Sequence, residues 1–244
     1  MEQSKLITLP AIVSPEVSPK VSGKYGFVNT AEVVAKLETM GFVVRTATQQ
    51  GRGSSARHVV KMVESGSSPQ FDGTRPELII MNAHNGTSSL RFLMGLYRMV
   101  CSNGLIVSDG VDERIVLRHS QGLPQNLESV IELVKNKATG VFEHVKSMNE
   151  AQVNSDALAA YTGAVLSQVK IEPSATNIQL ALSPRRTEDQ SNDAWHVLNR
   201  VQENLIKGGL KFEGRKRATK EVKGILGDFM VNKAVWDNKA LLVG

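Results

Sequence analysis

The apolar run from Leu90 to Val100, closed by Asn85-Gly86 on one side and Asn103-Gly104 on the other, restricts the fold of this chain more than any other stretch. It is long enough for a full strand, and Asn-Gly pairs are strong short-range hairpin signals. Strands are therefore expected near 56–64, 77–83, 89–100, 105–108 and 113–119, joined as a β-meander. In Arg114-Ile115-Val116-Leu117-Arg118, alternation sets Arg114, Val116 and Arg118 on one face and Ile115 and Leu117 on the other. One face of the sheet is thus expected to be packed and the other partly cationic.

The stretches around this meander carry helical signals. Asn29 with Glu32 three residues on reads as a capping box, followed by Val33, Val34, Leu37 and Met40 on one face and a stop at Gly41. After Pro124 the period lengthens to about 3.6. Leu127, Val130, Ile131, Val134, Ala138, Phe142 and Val145 form one long amphipathic stripe, with a kink expected near Thr139-Gly140. Asn154 or Ser155 can cap a further helix with Leu158, Tyr161, Val165 and Val169 inward, and the polar loop Ser183 to Asn192 precedes a helix at Trp195. The fold class that follows is α+β: an antiparallel β-meander, a long helix packed on it and a C-terminal helical region. Three segments are expected: an extended arm over 1–24 that pairs with a neighbouring subunit, a core over 25–182 and a basic helical region over 183–244.

Asn82-x-His84-x-Gly86-x-Ser88, the apolar run with Arg98, and Val100-Cys101-Ser102-Asn103-Gly104-Leu105 together resemble the phage- and plasmid-borne family catalogued as domain of unknown function 932. Trp195-x-x-x-Asn199-x-x-x-Glu203 resembles a second block of that family. The resemblance implies a mobile-element context and no particular activity. The order of helix, antiparallel strands and long helix is also similar, as topology, to single-strand annealing proteins of the Rad52, Erf and Redβ type, although topology does not determine function.

Charge narrows the function further. The net charge is +5, and residues 207–223 hold all of it: Lys207, Lys211, Arg215, Lys216, Arg217, Lys220 and Lys223 against Glu213 and Glu221. Such a local excess suits a polyanionic partner, while a solvated helix face is the plainer reading. Lys211-Phe212-Glu213-Gly214-Arg215 interleaves an aromatic with cations, as backbone tracking with base stacking requires. Arg52 in the glycine loop 49–55, Arg57 and Lys61 on one strand face, and Arg114 and Arg118 offer further phosphate contacts. That loop lacks the Gly-Lys-Ser/Thr ending of a nucleotide phosphate loop.

Catalytic constellations are weak. Cys101 with His84 or His119 could form a thiol and its base, but a cysteine directly after Met99-Val100 reads better as a small buried hydrophobe. Asp109, Asp112 and Glu113 lack the spacing of a calcium loop. Asn82, His84 and Asn85 read as turn-fixing residues, and Trp195, Asn199 and Glu203 as a core anchor with a polar edge. No catalytic residue, metal or cofactor is expected. A single cysteine suits a reducing compartment, no apolar run reaches the ~18 residues of a membrane span, and a cytoplasmic place in a bacterial host is expected. The reading is a nucleic-acid-binding protein, acting on single-stranded DNA and promoting annealing in recombination as a ring or filament of identical subunits, without covalent catalysis. The alternative is an interaction protein that counters host defence by binding a host enzyme.

Overall fold

The computed structural model describes residues 8–13, 17–23, 25–99, 103–106, 116–117, 127–207, 210–214 and 225–243. The chain divides into two compact units. The first comprises residues 1–105 and 110–138, and the second residues 106–109 and 139–244. In this division the long helix Leu127–Glu150 falls partly in each unit.

The first unit is built on an antiparallel sheet ordered β1 (Phe42–Gln49), β2 (His58–Glu64), β3 (Thr74–Asn82), β4 (Leu90–Arg98) and β5 (Asn103–Ile106). A two-residue β6 (Val116–Leu117) pairs with β4 at Leu90 and Arg91. The expected α+β meander is therefore present. Register fixes which side chains share a face: Lys61 pairs with Ile79, Ile79 with Leu93, Glu77 with Gly95 and Arg75 with Tyr97.

The opposite face is apolar, carrying Val60, Met62, Leu78, Ile80, Phe92, Met94 and Leu96, all buried. The amphipathic helix α2 (Thr30–Thr39), capped by Asn29 Oδ1 accepting from Ala31 N, buries Val33, Val34 and Leu37. The first half of α3 (Leu127–Glu150) brings Ile131 and Val134 to a small cavity it shares with Phe42, Pro76 and Leu78. At about 25 cal/mol per Å² of apolar surface, burial on this scale is the main stabilising term.

Two expectations change. The 1–24 segment contains a helical turn, α1 (Pro10–Val13), whose Ala11 and Ile12 are fully buried and whose Ala11 N donates to Gln49 Oε1, so this part is packed. Asn103-Gly104 belongs to strand β5.

The second unit is helical: the rest of α3, then α4 (Ser155–Gln168), α5 (Ala175–Leu182), α6 (Ala194–Lys207), α7 (Ile225–Asp237) and α8 (Ala240–Val243). Trp195, Trp236 and Tyr161 are buried, and Tyr161 donates its hydroxyl proton to Val235 O. Buried polar side chains here satisfy backbone groups, as they must to offset desolvation. Asn204 Nδ2 donates to Ala181 O and Ser183 O, and Asn232 Oδ1 accepts from Gln202 Nε2 and Ile106 N.

Candidate nucleic-acid interface

The second face of the sheet gathers cations. Arg45 is the extra residue of a β-bulge, because Val44 pairs with Met62 and Thr46 with Lys61. Its side chain extends over β2 and β3, where Nε bonds Glu77 Oε1 at 2.5 Å and the guanidinium lies 4.0 Å from the ring centre of Tyr97 on β4. Arg75, directly opposite Tyr97, brings its own guanidinium to 5.6 Å from the same ring. Arg91 completes the row. Arg45, Lys61, Arg75, Arg91 and Tyr97 are all half-buried. Among the described residues of β1 to β4, Glu77 is the one acidic side chain on this face, so the cations exceed it by three. The Nε atoms of Arg75 and Arg91 are enclosed without a hydrogen-bond acceptor.

Strand β5 approaches this cluster closely. A Cβ on Gly104 would lie 2.8 Å from Glu77 Oε2 and 2.9 Å from Lys61 Nζ, and one on Gly95 would lie 2.6 Å from Ile79 Cδ1 and 3.1 Å from Leu105 O. Both glycines are there for space. Gly104 was expected to shape a turn; it serves instead to let a strand pass over charged side chains.

At the end of the sheet the Asn82-to-Ser88 motif divides in two. Asn82 and His84 are fully buried with His58 and Thr30. Thr30 Oγ1 lies 2.7 Å from His58 Nε2 and accepts from Asn82 Nδ2 at 3.0 Å, and the His58 and His84 rings meet edge to face at 4.9 Å. The loop is strapped further by Ser18 N donating to His84 O and by Tyr25 Oη donating to Ala83 O. Burial pushes the Tyr25 hydroxyl up to about 12. Asn85 and Thr87 face outward, with Asn85 Oδ1 accepting from Thr87 N and Thr87 Oγ1. Asn85 thus fixes its own turn as expected, whereas His84 belongs to a buried network between strands.

The sequence-derived candidates fall in three groups. Lys61 lies within the cationic face, Arg57 stands just before β2 with Nη2 donating to Thr87 O, and Arg52 is exposed in the β1–β2 turn. Lys211 is exposed, but Phe212 is only 9 % accessible, so its ring is committed to packing. Arg114, Arg118, Arg215, Lys216, Arg217, Lys220 and Lys223 lie outside the described residues, as do Cys101, His119, Asp109, Asp112 and Glu113. Arg45, Arg75 and Tyr97 were missed; alternation on β3 and β4 was the available signal for the last two. Trp195, Asn199 and Glu203 are all buried, with Asn199 Nδ2 donating to Trp195 O and Glu203 paired with Arg186 and Lys207, so this stripe is a core anchor. Among the described residues, no group of three His, Cys, Asp or Glu side chains could hold a metal ion, and no helix is long and apolar enough to cross a membrane.

With this geometry in place, comparison with known proteins is informative about kinship. Residues 19–236 match the family described as Domain of unknown function (DUF932). The chain belongs to that family. Within it, the chain is 33% identical over 243 residues to the UPF0380 protein YafZ of Escherichia coli K12, covering 93% of this chain and 86% of that protein. It is 32% identical over 244 residues to the UPF0380 protein YfjQ of the same organism, with the same coverage. No solved structure matches. These family matches carry no activity and provide no link to the Rad52, Erf or Redβ annealing proteins.

Proposed function

We propose that this protein binds nucleic acid, single-stranded DNA in particular, and assists annealing of complementary strands without covalent chemistry. The observation that carries the reading is the sheet face that carries Arg45, Lys61, Arg75 and Arg91 with Tyr97, against one carboxylate, Glu77. A sheet that offers cations and an aromatic side chain on one face suits an extended strand, whose phosphates meet the cations while unpaired bases remain available. The charge concentration at 207–223 adds a second source of phosphate contacts. Self-association into a ring or filament would array these faces along one strand.

The test is fluorescence anisotropy with a labelled single-stranded oligonucleotide, followed by an annealing assay on the same preparation. The expected result is salt-sensitive binding that the Arg75→Glu/Arg91→Glu double variant weakens at unchanged thermal stability. Binding indifferent to these charges, or no binding at low salt, would remove the reading.

A further inference from the structure

The β1–β2 turn and the outward half of the Asn82-to-Ser88 motif enclose an open cup of about 480 Å³, lined by Gln50, Gly53, Ser55, Arg57, Asn85 and Thr87 among others. Its walls are stitched together. His84 N donates to Ser55 O at 3.2 Å and Arg57 Nη2 to Thr87 O at 3.3 Å, while His58 Nδ1 lies 2.9 Å from Ala56 O. The buried His58–Thr30–Asn82–His84 network therefore sets the distance between two exposed loops.

The lining is rich in donors. Among the described residues it contains no acidic side chain, and Arg57 is its one full charge. Arg57 is oriented by Thr87 O, yet its Nε has no acceptor. Asn85 uses its side-chain oxygen on Thr87, which leaves its amide NH2 as the end available to a ligand. The Ser54 and Ser55 amides make no backbone–backbone hydrogen bond among the described residues. A guanidinium, an amide NH2 and a serine hydroxyl lining one space match a compact anion with several acceptor oxygens.

We infer that this cup binds a phosphate monoester, and that its source is the terminal phosphate of a nucleic-acid strand. The second half rests on the proposed function: Arg57 immediately precedes β2, roughly 13 Å along the chain from Lys61 within it, so the cup stands near one end of the cationic row. The first half stands alone, because inorganic phosphate carries the same chemistry.

Two measurements separate these halves. In the first, amide shifts of the isotope-labelled protein are followed during titration with inorganic phosphate, with sodium chloride at matched ionic strength as control. Saturable movement of Ser54, Ser55 and Thr87 is expected, and lost in Arg57→Gln. In the second, anisotropy compares one oligonucleotide with a 5′-phosphate, a 3′-phosphate or neither. A terminally phosphorylated form is expected to bind about tenfold tighter, as charge-assisted bonds of this kind allow. Arg57→Gln should erase that preference, Ser55→Ala should reduce it, and Arg75→Glu should weaken all forms alike. Phosphate shifts without any oligonucleotide binding would support the cup as a site for free phosphate and sink the nucleic-acid reading. No saturable shift in the wild-type protein, or a terminal-phosphate preference that survives Arg57→Gln, would overturn the site.

Discussion

The Thr30 hydroxyl meets the second ring nitrogen of the buried His58. His58 Nδ1 faces Ala56 O, a pure acceptor, so in the neutral ring that nitrogen carries the proton and Nε2 accepts from the Thr30 hydroxyl at 2.7 Å. The threonine oxygen in turn accepts from Asn82 Nδ2. Thr30→Val keeps the shape and removes both interactions, leaving a buried acceptor on His58 without its donor. A cost of about 1–3 kcal/mol is expected. Urea unfolding checks it: the midpoint should fall while the denaturant slope stays constant.

Tyr25 supplies an alkaline counterpart. Its folded value, pushed up to about 12, lies above the ordinary 10.0, so the neutral phenol favours the folded state. That contribution is fully present below pH 10 and is lost as pH rises through 12. Tyr25→Phe, which cannot donate to Ala83 O, should show a smaller alkaline loss of stability and a lower stability at neutral pH by about 0.5–1.5 kcal/mol. Thermal melts between neutral and high pH read both effects.

The two close-approach glycines should respond differently to alanine. At Gly95 the added methyl meets the buried Ile79 side chain and the backbone of Leu105, and a loss of about 1–3 kcal/mol is expected. At Gly104 it meets only the charged ends of Glu77, Lys61 and Arg45, which can turn aside, so stability should fall less. Paired thermal denaturation of the two variants decides the order.

Asp193 makes the second unit acid-sensitive. Burial alone would raise its carboxyl, but side-chain hydrogen bonds from His196 and Ser191, the His196 amide and the His196 charge outweigh burial and hold it below its usual value. A lowered folded value stabilises above the unfolded value near 3.8, and that stability disappears as pH falls through the folded one. Asp193→Asn should flatten this acid limb. Because Asp193 also caps α6, Asp193→Ala should cost about 1 kcal/mol at neutral pH, read by helical circular dichroism.

If the 207–223 cations all engage a single strand, the log–log salt slope for binding should be roughly −5. Each phosphate partner removed from the sheet face should make the measured slope shallower by about 0.7. A titration series in sodium chloride on wild type and Arg75→Glu measures the difference.

The meander was legible because its apolar run and its Asx turn at Asn85 are local signals, as is the cap at Asn29. The close approaches were not. Gly104 looks like a turn residue from its neighbour Asn103, and nothing local reveals that Glu77 and Lys61 need the space above them. The N-terminal segment misled in the same way: its prolines suggest an extended arm, while the burial of Ile12 and the bond from Ala11 to Gln49 depend on a strand thirty-eight residues away. The candidate site was read in part, through Arg57 and Lys61. Arg45 escaped because a bulge has no spacing signature, and Tyr97 because a lone aromatic in a strand resembles core.

The bulge at Arg45 also makes that position dispensable to the strand. Residues 42–44 and 46–49 each keep their own partners on β2, so excising Arg45 would join two correctly registered halves into an uninterrupted ladder. The shorter chain would be the more regular fold, with Glu77 deprived of that guanidinium and Tyr97 of the cation stacked on its ring. An irregularity of one residue thus separates what the sheet needs to form from what it displays.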